Sequence, residues 1–120
     1  MNSLNSILLE GNLVGEPVES RTKNDVMVCS FSIMANRSYK KEKDLVQEES
    51  YFPIVVYSTI AEACLNNLHK DRGVRVVGRL KQDRWLDKND NKHSQIKIIA
   101  EHVEFKPVVV PGDEVLDKAV

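Results

Sequence analysis

No apolar run in this chain approaches the ~20 residues that a membrane-crossing helix needs. The opening Met1-Asn2-Ser3-Leu4-Asn5-Ser6 has no basic segment followed by an apolar core, so no signal peptide is expected and the default location is the cytoplasm. Cysteine is scarce. Cys29 and Cys64 define neither a zinc spacing nor a disulfide framework, and both are expected as reduced core residues. His69, His93 and His102 have no partner motif, so no metal site is expected. A glycine-rich phosphate loop, a nucleophile in a tight elbow and a separated pair of carboxylates are all missing, so neither catalysis nor a cofactor is expected. Charge of one sign is missing as well: 17 Lys and Arg stand against 18 Asp and Glu, for a net charge of −1. Residues 1–106 carry 16 cationic and 15 anionic side chains, so any phosphate-binding surface has to gather its cations on one face.

Aromatic residues make up only 6% of the chain, and the setting of four of them is its most informative feature. Tyr39 stands among Arg37, Ser38, Lys40 and Lys41. Tyr51 and Tyr57 bracket the apolar run Phe52-Pro53-Ile54-Val55-Val56. Trp85 ends the basic stretch Arg79-Leu80-Lys81-Gln82-Asp83-Arg84. A flat ring beside a cation can stack on a nucleobase while the cation meets phosphate. The alternative is that these rings cover small apolar clusters at the surface.

Most of the chain reads as strands. Residues 6–13 form a short apolar strand, followed by a turn at Gly15-Glu16-Pro17. Met27, Cys29, Phe31, Ile33 and Ala35 alternate with other residues, the period of a half-buried strand. Lys40 to Glu49 reads as a charged loop, and Tyr51–Tyr57 as a strand in which Pro53 marks an edge or a bulge. A helix follows, with Thr59 and Glu62 spaced as a capping box and Ile60, Ala61, Cys64, Leu65 and Leu68 as its apolar stripe. Val74–Leu80 and Gln95–Phe105 are two further strands around a turn cluster at Asp87–Asn91. Gly78 suits a sharp bend or a close backbone contact, and the apolar phase of the last strand shifts between Ile98 and Val103, which indicates a bulge. Asp87, Asn89 and Asn91 fit the first ligand positions of a calcium loop, but Lys92 and Ile98 stand where glycine and glutamate are needed, so a hairpin turn is expected there. Three strands, one helix and two strands match an all-β, five-stranded Greek-key barrel with a helix between strands 3 and 4; an α+β sandwich is the alternative. Residues 1–106 form the body, and 107–120 read as a short flexible C-terminal tail.

The run Ile7-Leu8-Leu9-Glu10-Gly11-Asn12-Leu13 with Pro17, the Tyr51–Tyr57 strand with Ile60-Ala61-Glu62, and Val77-Gly78-Arg79-Leu80 with Arg84-Trp85-Leu86-Asp87 resemble, in order and spacing, bacterial single-stranded DNA-binding proteins. The resemblance implies an oligonucleotide-binding (OB) fold and a non-catalytic, sequence-tolerant binder that protects single-stranded DNA during replication, recombination and repair. It implies stacking by Tyr39, Tyr51, Tyr57 and Trp85 and phosphate contacts by Lys40, Lys43, Lys70, Lys81 and Arg84. Arg37 and Arg79 join these from their local sequence. The resemblance further implies a homotetramer, with a dimer as the alternative, associated with the nucleoid in the cytoplasm. Pro53 and Asp83 stand where basic residues are common in that family. The acidic tail ending in Pro-Phe, through which replication and repair proteins are recruited, is not found here. A second reading stays open: a protein-interaction barrel, such as a primosome subunit, with weak nucleic-acid affinity. RNA binding through the same rings is a third.

Overall fold

The computed structural model describes residues 1–110 and 114–119. Its elements are β1 (Ile7–Leu13), β2 (Val18–Arg21), β3 (Met27–Lys41), β4 (Asp44–Tyr57), α1 (Ser58–Asn67), β5 (Gly73–Leu86), β6 (Lys92–Val110) and β7 (Glu114–Ala119). One sheet runs β1-β5-β6-β4-β3, and β3 returns to β1 through Asn12↔Met34 and Leu13↔Ile33, so five strands close into a barrel. The pairings are antiparallel except where β4 meets β6, at Ile54↔Ile98 and Val55↔Ile99. This is the Greek-key barrel that the strand order implied.

The barrel closes because alternate residues of each strand point inward. Leu13, Cys29, Phe31, Ile33, Ile54, Val56, Val74, Val76, Ile98, Ala100, Val103 and Phe105 fill it, and Ala61 and Cys64 of α1, with Leu68 just past its end, plug one end. Burying such side chains stabilises the fold by roughly 1.5–3 kcal/mol each for the larger aliphatics. Val77 pairs with His102 and Gly78 with Ala100, leaving Glu101 unpaired in a bulge. The bulge is why the inward phase of β6 shifts from Ile98 and Ala100 to Val103 and Phe105. At Gly78 the backbone of β6 comes so close that a Cβ would strike the Ile99 carbonyl oxygen, and one at Gly11 would strike that of Met34. Both glycines sit at seams of the barrel.

Three features differ from the sequence reading, and at Pro53 the structure selects between its two alternatives. The segment 40–49 is not a loop: β3 and β4 continue through it to a two-residue turn at Glu42-Lys43, where Glu42 has φ 59°. This arm extends past the core, so neither face needs apolar side chains and the strand period is invisible. The capping box does not form. β4 runs to Tyr57, which itself takes the N-cap position with no side-chain cap, so Thr59 already lies inside the helix. Of the two alternatives for Pro53 the edge is found: it pairs with Ser32 in an unbroken ladder and sits where β6 no longer covers the other edge of β4. In the segment read as a flexible tail, the backbone of β6 continues to Val110 and β7 pairs back on it, Val108↔Leu116 among the partners. Positions 111–113 and 120 of that segment lie outside the described residues.

Cys29 and Cys64 are fully buried, and burial pushes their thiols up to about 11 and about 12, with Glu19 adding to the effect at Cys29. The thiolate is the reactive species. In the folded protein both residues should therefore resist a thiol-specific reagent such as Ellman's at pH 8, and both should titrate promptly after guanidinium unfolding. Rapid labelling without denaturant would show that the barrel opens far more readily than its packing implies.

Candidate nucleic-acid interface

Strand alternation decides which rings share a surface. In β4, Ile54 and Val56 point inward, so Tyr51, Pro53, Val55 and Tyr57 face out. In β5, Val74, Val76 and Gly78 point inward, so Arg79, Lys81, Asp83 and Trp85 face out. Their partners on β6 are Ile99, Lys97, Gln95 and His93. Between the two sets lies a groove of about 580 Å³, lined by Val14, Ser30, Ser32, Pro53, Val55, Asp83, Gln95 and Lys97 among others. Tyr51 and Trp85 are 57% and 48% exposed, and Tyr57 is 37% exposed where β4 enters α1. Three of the four rings thus belong to the outer faces that flank one groove.

Tyr39 is placed differently. It has the parity of Cys29, Phe31 and Ile33, so it continues the inner face of β3 out onto the arm. Arg37, two residues earlier on that face, sits 5.1 Å above its ring and pairs with Glu48 at 3.8 Å. Tyr39 and Tyr51 therefore lie on opposite faces of the β3–β4 ribbon.

Each ring has a polar neighbour that sets its posture. Trp85 stacks on His93, with centroids 5.6 Å apart and planes 17° from parallel. The imidazole is tied to Asp87 at 2.8 Å, while the other Asp87 oxygen accepts from the amides of Asn89 and Asn91 at 2.8 and 2.9 Å. The turn, the histidine and the indole thus form one braced unit. Those bonds, His93 first, hold the Asp87 carboxyl below the usual carboxylate range. The Tyr51 hydroxyl donates to Glu49 at 2.9 Å, and that carboxylate raises the hydroxyl above the usual phenol range.

The cations expected at phosphates divide into groups. Lys40, Lys43 and Arg79 are exposed and make no ion pair among the described residues. Arg84 lies on the reverse face of β5 and donates to Gln82 at 2.9 Å. Lys70 lies past the helix at the rim of a second cavity of about 460 Å³, which His69, Arg72 and Lys106 also line. Lys81 contacts Asp83 at 2.6 Å. Two residues that the sequence reading did not single out adjoin the candidate residues, His93 under Trp85 and Lys97 opposite Lys81. Counting outward from the centre of the Asp87–Asn91 turn would have paired both.

A closed five-stranded Greek-key barrel with one helix, bearing exposed rings beside an outer groove, defines an oligonucleotide-binding fold. Residues 4–106 match the profile of the Single-strand binding protein family. The chain is 34% identical over 102 residues to the single-stranded DNA-binding protein of Caldanaerobacter subterraneus subsp. tengcongensis, covering 85% of this chain and 67% of that one. It is 37% identical over 103 residues to that of Aquifex aeolicus, covering 85% and 69%. A solved structure, described as a Plasmodium falciparum SSB complex with ssDNA, superposes with a TM-score of 0.78 at 26% identity, covering 88% of this chain and 97% of that one. The chain belongs to the single-strand binding protein family.

Proposed function

We propose that this chain binds single-stranded DNA, with little preference for sequence and without catalysis, and that it protects unpaired strands during replication, recombination and repair. One observation carries this reading: Tyr51, Tyr57 and Trp85 stand exposed on the outer faces of β4 and β5, the faces that supply Pro53, Val55 and Asp83 to the outer groove of an oligonucleotide-binding barrel. Every base has a π-face, so stacking on these rings discriminates little between bases, whereas bases in a duplex already stack on each other. Lys40, Lys43 and Arg79 are the cations freest to meet phosphates, and Arg37, Lys70, Lys81 and Arg84 belong to the same proposed set. Tyr39 is included as a stacking residue reached from the other face of the arm.

The reading extends to a homotetramer in the cytoplasm, associated with the nucleoid. A self-association surface is supported by the outer side of β1, where Leu8 is 69% exposed next to Val77 on β5. Among the described residues no helix is long and apolar enough to cross a membrane.

Trp85 is the only tryptophan, so its emission reports on the outer face of β5 where it sits. Titration with dT oligomers of rising length should quench it, more strongly at low salt, with a log–log salt slope near −0.7 per phosphate contact. Light scattering on the same samples gives the number of chains per complex. Competition between matched DNA and RNA oligomers tests the third reading, because stacking does not distinguish the sugars. Unchanged emission at saturating oligonucleotide sinks the proposal. A shallow salt slope with micromolar affinity favours the protein-interaction reading, which the pairing of Lys81 with Asp83 also supports.

A further inference from the structure

Lys81 and Lys97 face each other directly across the β5–β6 hairpin. Both ammonium groups converge on Asp83, Lys81 on Oδ1 at 2.6 Å and Lys97 on Oδ2 at 2.8 Å. Lys97 and Asp83 are partly shielded, at 21% and 30% exposed, whereas Lys81 is 48% exposed. Asp83 and Lys97 line the wall of the outer groove. One cation per oxygen is the arrangement that the two non-bridging oxygens of a phosphodiester would also satisfy.

We propose that Lys81 and Lys97 form an anion site for the DNA backbone, and that Asp83 occupies it as an internal substitute for phosphate, holding down the chain's affinity for single-stranded DNA. This rests on the single-stranded DNA reading above. With Asp83 in place, the groove wall presents two carboxylates, Asp83 and Glu16, against the single ammonium of Lys97. A polyanion gains little there. Hydrogen bonds from Lys81 first and Lys97 second hold the Asp83 carboxyl below its usual range, so the substitute stays charged at neutral pH. Removing the carboxylate's charge leaves two converging ammonium groups beside Pro53 and Val55, with Trp85 two residues further along the same face of β5.

The test is a double-mutant cycle read by Trp85 emission with dT oligomers. Asp83→Asn should tighten binding about tenfold at low salt and steepen the log–log salt slope by about 0.7 for each phosphate gained. Lys97→Gln in the otherwise native chain should change affinity less than about twofold, because that lysine is already neutralised. In the Asp83→Asn background, Lys97→Gln should remove most of the gain, the non-additivity expected of groups sharing one site. Asp90→Asn, in the neighbouring turn, removes a charge of the same sign without touching either lysine. A gain from Asp83→Asn that survives Lys97→Gln, or that Asp90→Asn reproduces, overturns the proposal in favour of a general field effect. Native binding with no gain from Asp83→Asn overturns this inference alone. Absence of binding in both the native chain and Asp83→Asn overturns the single-stranded DNA reading with it. Asp83→Ser provides a second charge-removing variant, read in the same cycle, should Asp83→Asn lower the melting temperature.

Discussion

Trp85→Ala should weaken binding to oligo-dT by about 1–3 kcal/mol, a factor of roughly 5 to 150 in Kd, while the melting temperature stays close to the native value. The two readouts separate because of where the ring sits. Trp85 lies one residue from the end of β5, on an arm beyond the barrel, 48% exposed and resting only on the His93 ring among its aromatic neighbours. It belongs neither to the buried core nor to the side chains packed against it. A surface truncation of this kind usually costs less than about 0.5 kcal/mol of stability. The affinity loss is therefore attributable to a lost stacking surface. Trp85→Phe should recover much of it, since the flat face remains. Tritium-free filter binding or fluorescence anisotropy with a labelled oligomer reads the Kd without relying on the missing indole. If the alanine variant melts as the native chain does and binds as tightly, Trp85 does not stack on bases.

Gly78→Ala should have the largest effect on stability, about 2–4 kcal/mol, which is a large part of the roughly 5–15 kcal/mol that a domain possesses. The added carbon would meet the Ile99 carbonyl oxygen and, at 3.0 Å, the Ala100 Cα. These are backbone atoms of the neighbouring strand, held by the ladder on both sides of the Glu101 bulge, so neither can rotate away. Relief requires β5 and β6 to separate at the barrel wall, between Val76 and Ile98. Gly15→Ala is the matched control, because a carbon there meets nothing within 4 Å. Urea unfolding followed by circular dichroism should shift its midpoint strongly for the first variant and little for the second. Equal midpoints would show that the seam between β5 and β6 gives way more easily than its geometry indicates.

The legible parts of this fold were those in which burial writes a period into the sequence. Cys29, Phe31 and Ile33 alternate because one side of β3 faces the core and the other does not, and the phase shift in β6 follows from an unpaired Glu101. Where strands leave the core, that signal vanishes. Residues 40–49 are charged on both faces of a solvated ribbon, so they look like a loop although they form a regular ladder. The rings were recognisable from their basic surroundings, but not their sidedness: Tyr39 and Tyr51 separate only once the register is known. The ion pairs were hidden for a related reason. Lys81 and Arg84 look equivalent in the sequence, yet alternation sends them to opposite faces and gives them Asp83 and Gln82 as partners. Lys97 carried no local signal, since its role comes from being opposite Lys81.

The placement of Tyr39 on one side of the β3–β4 ribbon and Tyr51 on the other has a mechanical consequence. A polymer touching both rings of one chain must double round the ribbon's rim within a few nucleotides. Duplex DNA, with a persistence length near 150 base pairs, is far too stiff for such a hairpin course. An unpaired strand is limp enough to follow it, so if both rings are engaged the shape of the arm would filter by rigidity, independently of whether the bases are free to stack.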